Sequence, residues 1–270
     1  MLKKLLKYEF KATGRLIVII YLAVFVVSVV TGLLGRMSNV DTQNPIVFSL
    51  FVTIYGLLAV ALIIITIFMI IERFYKNMLR GEAYLTHTLP VPTWMHVVSK
   101  LISAFVWEIL AVAVLLCSLF LCFVLAGDAW AYIVGFFNLP EVQEFFRAFS
   151  GLVVLAIVAT IVQLIRIILM FYASMSIGGS ATRHKIFYSF LAFIVIAIVV
   201  NVINFITNLG WLTNMMVINF GDIANSTVGD VTAVTWITRI LTKQLVTDIV
   251  LSAAFFVITH YFLKKRLNLE

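Results

Sequence analysis

The sequence predicts an all-α integral membrane protein with six transmembrane helices and both termini in the cytoplasm. Three observations predict it. First, six separate apolar runs each meet the roughly 20-residue length needed to cross about 30 Å of hydrocarbon. They fall near residues 16–34, 45–71, 100–126, 150–177, 187–209 and 243–263. Second, the 270 residues are 63% hydrophobic and only 11% charged, with a mean hydropathy of +1.14. A soluble domain carries about 25% charge, so lipid rather than a water-excluding core must solvate this surface. Third, the Lys and Arg residues are one-sided. With the N-terminus inside, fourteen of the 19 fall in inner segments and four in outer ones, and Arg166 lies within a span. Basic residues are retained on the cytoplasmic side, which sets the orientation.

Residues 1–14 precede the first span as an amphipathic stretch. Lys3, Lys4, Lys7 and Lys11 share one helical face, and Leu2, Leu5, Leu6 and Phe10 share the other. Such a helix lies in the inner interface with its lysines among the headgroups. The apolar run after it is a full span without a small-x-small cleavage site, so it reads as an uncleaved first helix rather than a signal peptide. Span two leads into the longest inner loop, residues 72–99. Gly81 can end its helix, Pro90 and Pro92 break the short element after Gly81, and Thr93 can cap a new helix near Trp94. The tip of this segment exposes Tyr84, Leu85, Leu89 and Trp94, and an apolar tip beside a membrane points to a partner protein.

Residues 127–149, rich in Phe, and 210–242, between spans five and six, read as short outer helices or re-entrant pieces. Cys117 and Cys122 lie five residues apart in one span, about 8 Å along a helix, too far for a disulfide. Spans four and five are joined by Ser174-Met175-Ser176-Ile177-Gly178-Gly179-Ser180. Small residues of this kind allow close helix approach in lipid. The whole chain, 1–270, reads as a single transmembrane domain.

Polar groups inside the spans are the other candidates for function. A charge at the bilayer centre costs about 2.5–3.5 kcal/mol on insertion scales, so it pairs or faces water. Glu108 lies about 12 Å into span three and Arg166 about 16 Å into span four at 1.5 Å per residue, which suggests a Glu108–Arg166 pair. Gln163 is one turn from Arg166. Asn201 and Asn204 in span five either line a polar path or bond a neighbouring helix. Asp248, near the outer end of span six, reads as a cap or the edge of an outer vestibule.

Several functions are disfavoured. No G-x-x-x-x-G-K-[ST] cradle for ATP phosphates occurs, and no H-E-x-x-H or G-x-S-x-G. None of the four histidines has a carboxylate at metal-ligand spacing. The net charge of +7 comes from clusters that flank apolar spans, as expected for headgroup contact rather than nucleic acid.

Three sets of residues carry a family likeness. They are Leu6-Lys7-Tyr8-Glu9-Phe10-Lys11 before the first span, Arg73-Phe74-Tyr75-Lys76-Asn77 after the second, and Gly81-Glu82-Ala83-Tyr84-Leu85-Thr86-His87-Thr88-Leu89-Pro90-Val91-Pro92 ahead of Ser99-Lys100. With the Ser-x-Ser-x-Gly end of span four, the chain resembles the permease subunit of a bacterial ATP-binding-cassette exporter of the type-2 export family. The resemblance implies an interfacial N-terminal helix and a coupling helix between spans two and three. It further implies pairing with a second permease, identical or homologous, and with two copies of a cytoplasmic ATPase subunit. ATP and Mg would sit on that subunit, and this chain would bind no cofactor and catalyse nothing itself. The place would be the bacterial cell membrane. Carried onto this chain, the surface seated on the ATPase comprises Glu82, Tyr84, Leu85, Thr86, His87, Leu89, Pro90, Pro92 and Trp94. Two other readings stand beside it. One is a self-contained transporter or channel driven by an ion gradient, which is disfavoured because all four prolines fall in loops or at span ends. The other is a membrane sensor or scaffold that transports nothing.

Overall fold

The computed structural model describes residues 2–40, 45–79, 83, 91–127, 129–181, 183–217 and 231–265. Among these residues the structure is helical, with no strand. The helices are α1 (Leu2–Val40), α2 (Pro45–Leu79), α3 (Thr93–Ala126), α4 (Ala129–Asn138), α5 (Pro140–Ala148), α6 (Ser150–Gly178), α7 (Lys185–Val217) and α8 (Val231–Lys265). Six of them, all but α4 and α5, are long and apolar enough to cross a membrane. The chain is therefore built as a multi-pass membrane protein.

The long helices contain the expected spans and overrun them. The amphipathic prelude and the first span form one uninterrupted helix of 39 residues. Its pattern holds: Lys3, Lys4, Lys7 and Lys11 are exposed, while Leu2, Leu5, Leu6 and Phe10 are half-buried. Residues 127–149 hold two short helices, with Pro140 at the first position of α5, where its missing N–H costs nothing. Gly127, at φ 141°, ends α3 in a conformation that only glycine adopts cheaply. The segment 210–242 is largely continuation of α7 and α8, and its middle, 218–230, lies outside the described residues.

The chain divides into two compact units. The first holds residues 1–74 and 94–144. Its centre is Ile17, Tyr21 and Val24 of α1, Leu62 of α2, and Trp107 and Ala111 of α3. Helices α1 and α3 run parallel, as three contacts in register show. Lys100 Nζ meets Glu9 Oε1 at 2.7 Å, Trp107 Nε1 donates to Thr13 Oγ1 at 2.8 Å, and Tyr21 Oη donates to the Trp107 carbonyl at 2.9 Å. The Thr13 hydroxyl in turn donates to the Glu9 carbonyl. Farther along, Gly32 lets the backbones close. A Cβ there would stand 2.8 Å from both Cys122 O and Leu125 Cβ. Helix α2 is tied to α3 by Tyr55 and Ser118, whose hydroxyls lie 2.8 Å apart.

The second unit holds residues 75–93 and 145–270. Helix α6 packs on both α7 and α8. Its last turns are buried almost throughout, from Ile168 to Ser176. Phe171 stacks flat on Phe193 of α7, with centroids 5.0 Å apart and planes 3° from parallel. The small residues after Ser174 serve as the sequence predicts. A Cβ on Gly178 would fall on the backbone N and hydroxyl of Ser189, so α6 and α7 touch there without side chains between them. On Gly179 it would lie 2.5 Å from Leu79 Cδ2, so Leu79 packs directly against that turn.

These approaches make a sharp prediction. A β-branched side chain at Gly178 meets backbone, which yields less than a side-chain tip, and overpacking of this kind costs about 1–3 kcal/mol. Gly178→Val is expected to lower the thermal midpoint of the purified protein in detergent by several degrees, or to prevent its accumulation. Gly56→Ala, where a Cβ meets nothing within 4 Å, is expected to raise it slightly, by about 0.5–1 kcal/mol of helix propensity. Equal responses from the two variants would show that α6 and α7 are not in backbone contact.

Candidate functional site: an intramembrane ion pair

Arg166 sits near the middle of α6, sixteen residues from its start. Asp248 sits seventeen residues from the start of α8. At 1.5 Å per residue both lie about 25 Å along their helices, so two parallel helices bring them level. Arg166 Nε approaches Asp248 Oδ1 to 2.7 Å. The N–H is not aimed along that line, so this contact is a charge pair rather than an aligned hydrogen bond. The side chains are 8% and 0% exposed.

The carboxylate is also held from its own helix. Gln244, one turn earlier, donates from Nε2 to Oδ1 at 3.1 Å and to Oδ2 at 3.2 Å. The Ser252 hydroxyl donates to the Asp248 carbonyl at 2.6 Å. A guanidinium and a carboxylate buried together cancel most of each other's cost in hydrocarbon, and the amide fills acceptor sites that the arginine leaves over. This cluster can hold two helices in one register or change partner during a conformational cycle. Among the described residues, no three His, Cys, Asp or Glu side chains come together as a metal site.

The sequence suggests Glu108 as the partner of Arg166, and the structure corrects this: the carboxylate it engages is Asp248. The difference is one of boundaries. Arg239 and Lys243 look like the flank of span six, which leaves Asp248 near an end. Helix α8 begins at Val231, so Asp248 is central. Counted from the true helix start, Asp248 lies at a depth that suits Arg166, as Glu108, fifteen residues into α3, also does. Glu108 is half-buried on α3, in the first unit.

The other candidates are dispersed. Gln163 is exposed. Asn201 is exposed too, and its amide donates to the Ala197 carbonyl of its own helix at 2.8 Å rather than to a neighbour. Asn204 is half-buried. Of the surface expected to meet an ATPase, Glu82, Tyr84, Leu85, Thr86, His87, Leu89 and Pro90 lie outside the described residues. Pro92 is exposed, and so is Trp94, at 44%. Sequence reasoning misses the Glu9–Lys100 pair, although Glu9 is the only acid among residues 1–14 and stands amid four lysines.

Fold and site together define a helical multi-pass membrane protein with a buried charge pair inside its second unit. Comparison of the chain with known protein families, with curated proteins and with solved structures finds no match.

The ion pair is tested by a double-mutant cycle on thermal unfolding in detergent. Removing one partner leaves an uncompensated buried charge and costs about 3–5 kcal/mol. Arg166→Leu and Asp248→Leu should each destabilise strongly, and the double variant should recover most of the loss. Additive effects would mean that the two charges do not see each other.

Proposed function

We propose that this chain is the membrane-spanning permease subunit of an ATP-driven exporter, energised through residues 72–99 by a separate ATPase chain. One observation supports it above the others. Residues 75–93 belong to the second unit, although the helices they connect, α2 up to Phe74 and α3 from Trp94, belong to the first. Leu79 packs against the α6–α7 turn at Gly179. A force applied to this connector therefore acts on the α6–α8 unit through packing, and on α2 and α3 through the chain. That is the arrangement a coupling element needs, since motion of one rigid body against another carries alternating access.

On this reading the ATPase supplies nucleotide, Mg and hydrolysis, and Trp94 and the 82–92 stretch form the seat. A second permease chain completes the pathway, and a cell membrane houses the assembly. The fuel comes from elsewhere, because the sequence has no phosphate cradle of its own. The Arg166–Asp248 pair favours one other reading, a carrier driven by an ion gradient, since intramembrane charge pairs mark ion and proton relays.

Affinity purification in mild detergent separates the two readings. The permease reading expects an ATP-binding polypeptide to copurify, and Leu85→Asp or Leu89→Asp to release it while the chain still folds and inserts. Transport by the isolated chain in liposomes, driven by an imposed ion gradient without nucleotide, would reject the permease reading in favour of the carrier.

A further inference from the structure

Helices α6 and α7 touch through backbone at Gly178 and Ser189, and beside that contact they leave a hollow. One face of α7, formed by Tyr188, Leu191, Ala192, Val195 and Ile196, lines an open groove of about 360 Å³. These positions follow the i, i+3, i+4, i+7, i+8 spacing of a single helical stripe. Ile177 near the end of α6, with Ser180 and Ala181 of the turn after it, makes the other wall. Ser180, Ala181 and Ala192 are small, which leaves the space. The Ser180 hydroxyl donates to the Ile177 carbonyl. With that donor spent, the lining side chains are apolar apart from the Tyr188 hydroxyl.

The apolar stretch of α7 starts at Lys185. Tyr188 therefore stands about 5 Å along it and Ile196 about 17 Å, at 1.5 Å per residue. An acyl chain reaches that depth and a water-soluble partner does not. Tyr188, Leu191 and Val195 are exposed, and an unfilled hollow forfeits the dispersion contacts that a chain laid into it would make. In hydrocarbon one chain serves as well as another, so selection has to come from the headgroup. Arg183 stands at the shallow end, two residues after Ala181 and at most about 7 Å from it by chain length. It does not line the groove. It is exposed, and no acid among the described residues pairs with it. Its forked N–H groups fit phosphate oxygens. Lys185, two residues on, is already engaged, so Arg183 supplies the charge.

We propose that this groove holds one acyl chain of an anionic phospholipid, with the lipid's phosphate at Arg183. A soluble anion would leave the groove empty, and a zwitterionic lipid brings the arginine no net charge. The volume is near the low end of the roughly 300–1,000 Å³ typical of small-molecule sites, enough for one acyl chain while the other stays in the bilayer. The site holds whatever the protein transports and does not rest on the permease reading.

Native mass spectrometry of the whole protein, released from nanodiscs of phosphatidylglycerol and phosphatidylcholine in equal amount, tests this. Wild type should retain phosphatidylglycerol preferentially. Arg183→Gln should lower that preference about fivefold, on the usual attraction of one basic residue for an acidic membrane surface. Ala192→Phe fills the groove and should abolish the preference. Ala192→Leu, expected to reduce it, keeps the test open if the larger variant accumulates poorly. Lys7→Gln on α1 and Ala254→Phe at an exposed position of α8 make equivalent changes away from the groove and should leave retention unchanged. Equal retention of the two lipids by wild type, unchanged retention in Arg183→Gln or in the Ala192 variants, or an equal loss in the two controls overturns the proposal. Displacement of phosphatidylglycerol by an equal amount of oleate also overturns it, and assigns the groove to a free fatty acid.

Discussion

Arg166 and Asp248 meet about halfway along two parallel helices, where neither charge has water to fall back on. In lipid the hydrophobic effect does not press helix against helix, because hydrocarbon solvates an apolar side chain as well as another helix does. Register must come from contacts that fail when a helix slips. A slip of one turn, about 5.4 Å, would strand a guanidinium and a carboxylate in hydrocarbon at once. The Phe171–Phe193 stack and the backbone contact at Gly178 tolerate little displacement themselves. They are weak selectors alone, since dispersion gains per contact are small. The ion pair decides which register they adopt.

The first unit solves the same problem by other means. Between α1 and α3 the internal bonds are neutral, from Trp107 to Thr13 and from Tyr21 to the Trp107 carbonyl. The charged contact, Glu9 with Lys100, is near the helix starts. A neutral hydrogen bond contributes about 0.5–1.5 kcal/mol net, and interhelical bonds in membranes average about 0.6 kcal/mol. Such bonds exchange singly as helices shift, while a central ion pair must break whole. The two units thus fix register differently, one with an ion pair at the middle of its helices and the other with neutral bonds and an ion pair nearer the helix starts.

The sequence is informative where one physical rule acts alone. Each of the six spans is legible because lipid demands an apolar length and nothing competes with that demand. The lysine face of residues 1–14 is legible from helical period, and the close approach after Ser174 from its run of small residues. The ion pair is half legible. That Arg166 needs a partner follows from its depth, but which carboxylate meets it depends on where α8 starts, and Arg239 and Lys243 hide that start by looking like a flank. Glu9–Lys100 is not legible because its residues are 91 apart, and only the parallel pairing of α1 with α3 brings them together. Asn201 misleads for a different reason: an asparagine in lipid can satisfy itself on its own helix, so its presence does not imply a neighbour.

The division of the chain bears on how the proposed coupling would work. A connector that merely linked α2 to α3 could move and change only the first unit. Residues 75–93 instead belong to the second, and Leu79 bears on a glycine whose neighbour, Gly178, touches the α7 backbone. Nothing compressible lies between Leu79 and that turn. In the proposed coupling, a displacement of the connector would therefore reach α6 and α7 through direct packing, and the Arg166–Asp248 pair would carry it to α8. A close-packed contact of this kind passes a push on rather than dissipating it in side-chain adjustment close to where it arrived.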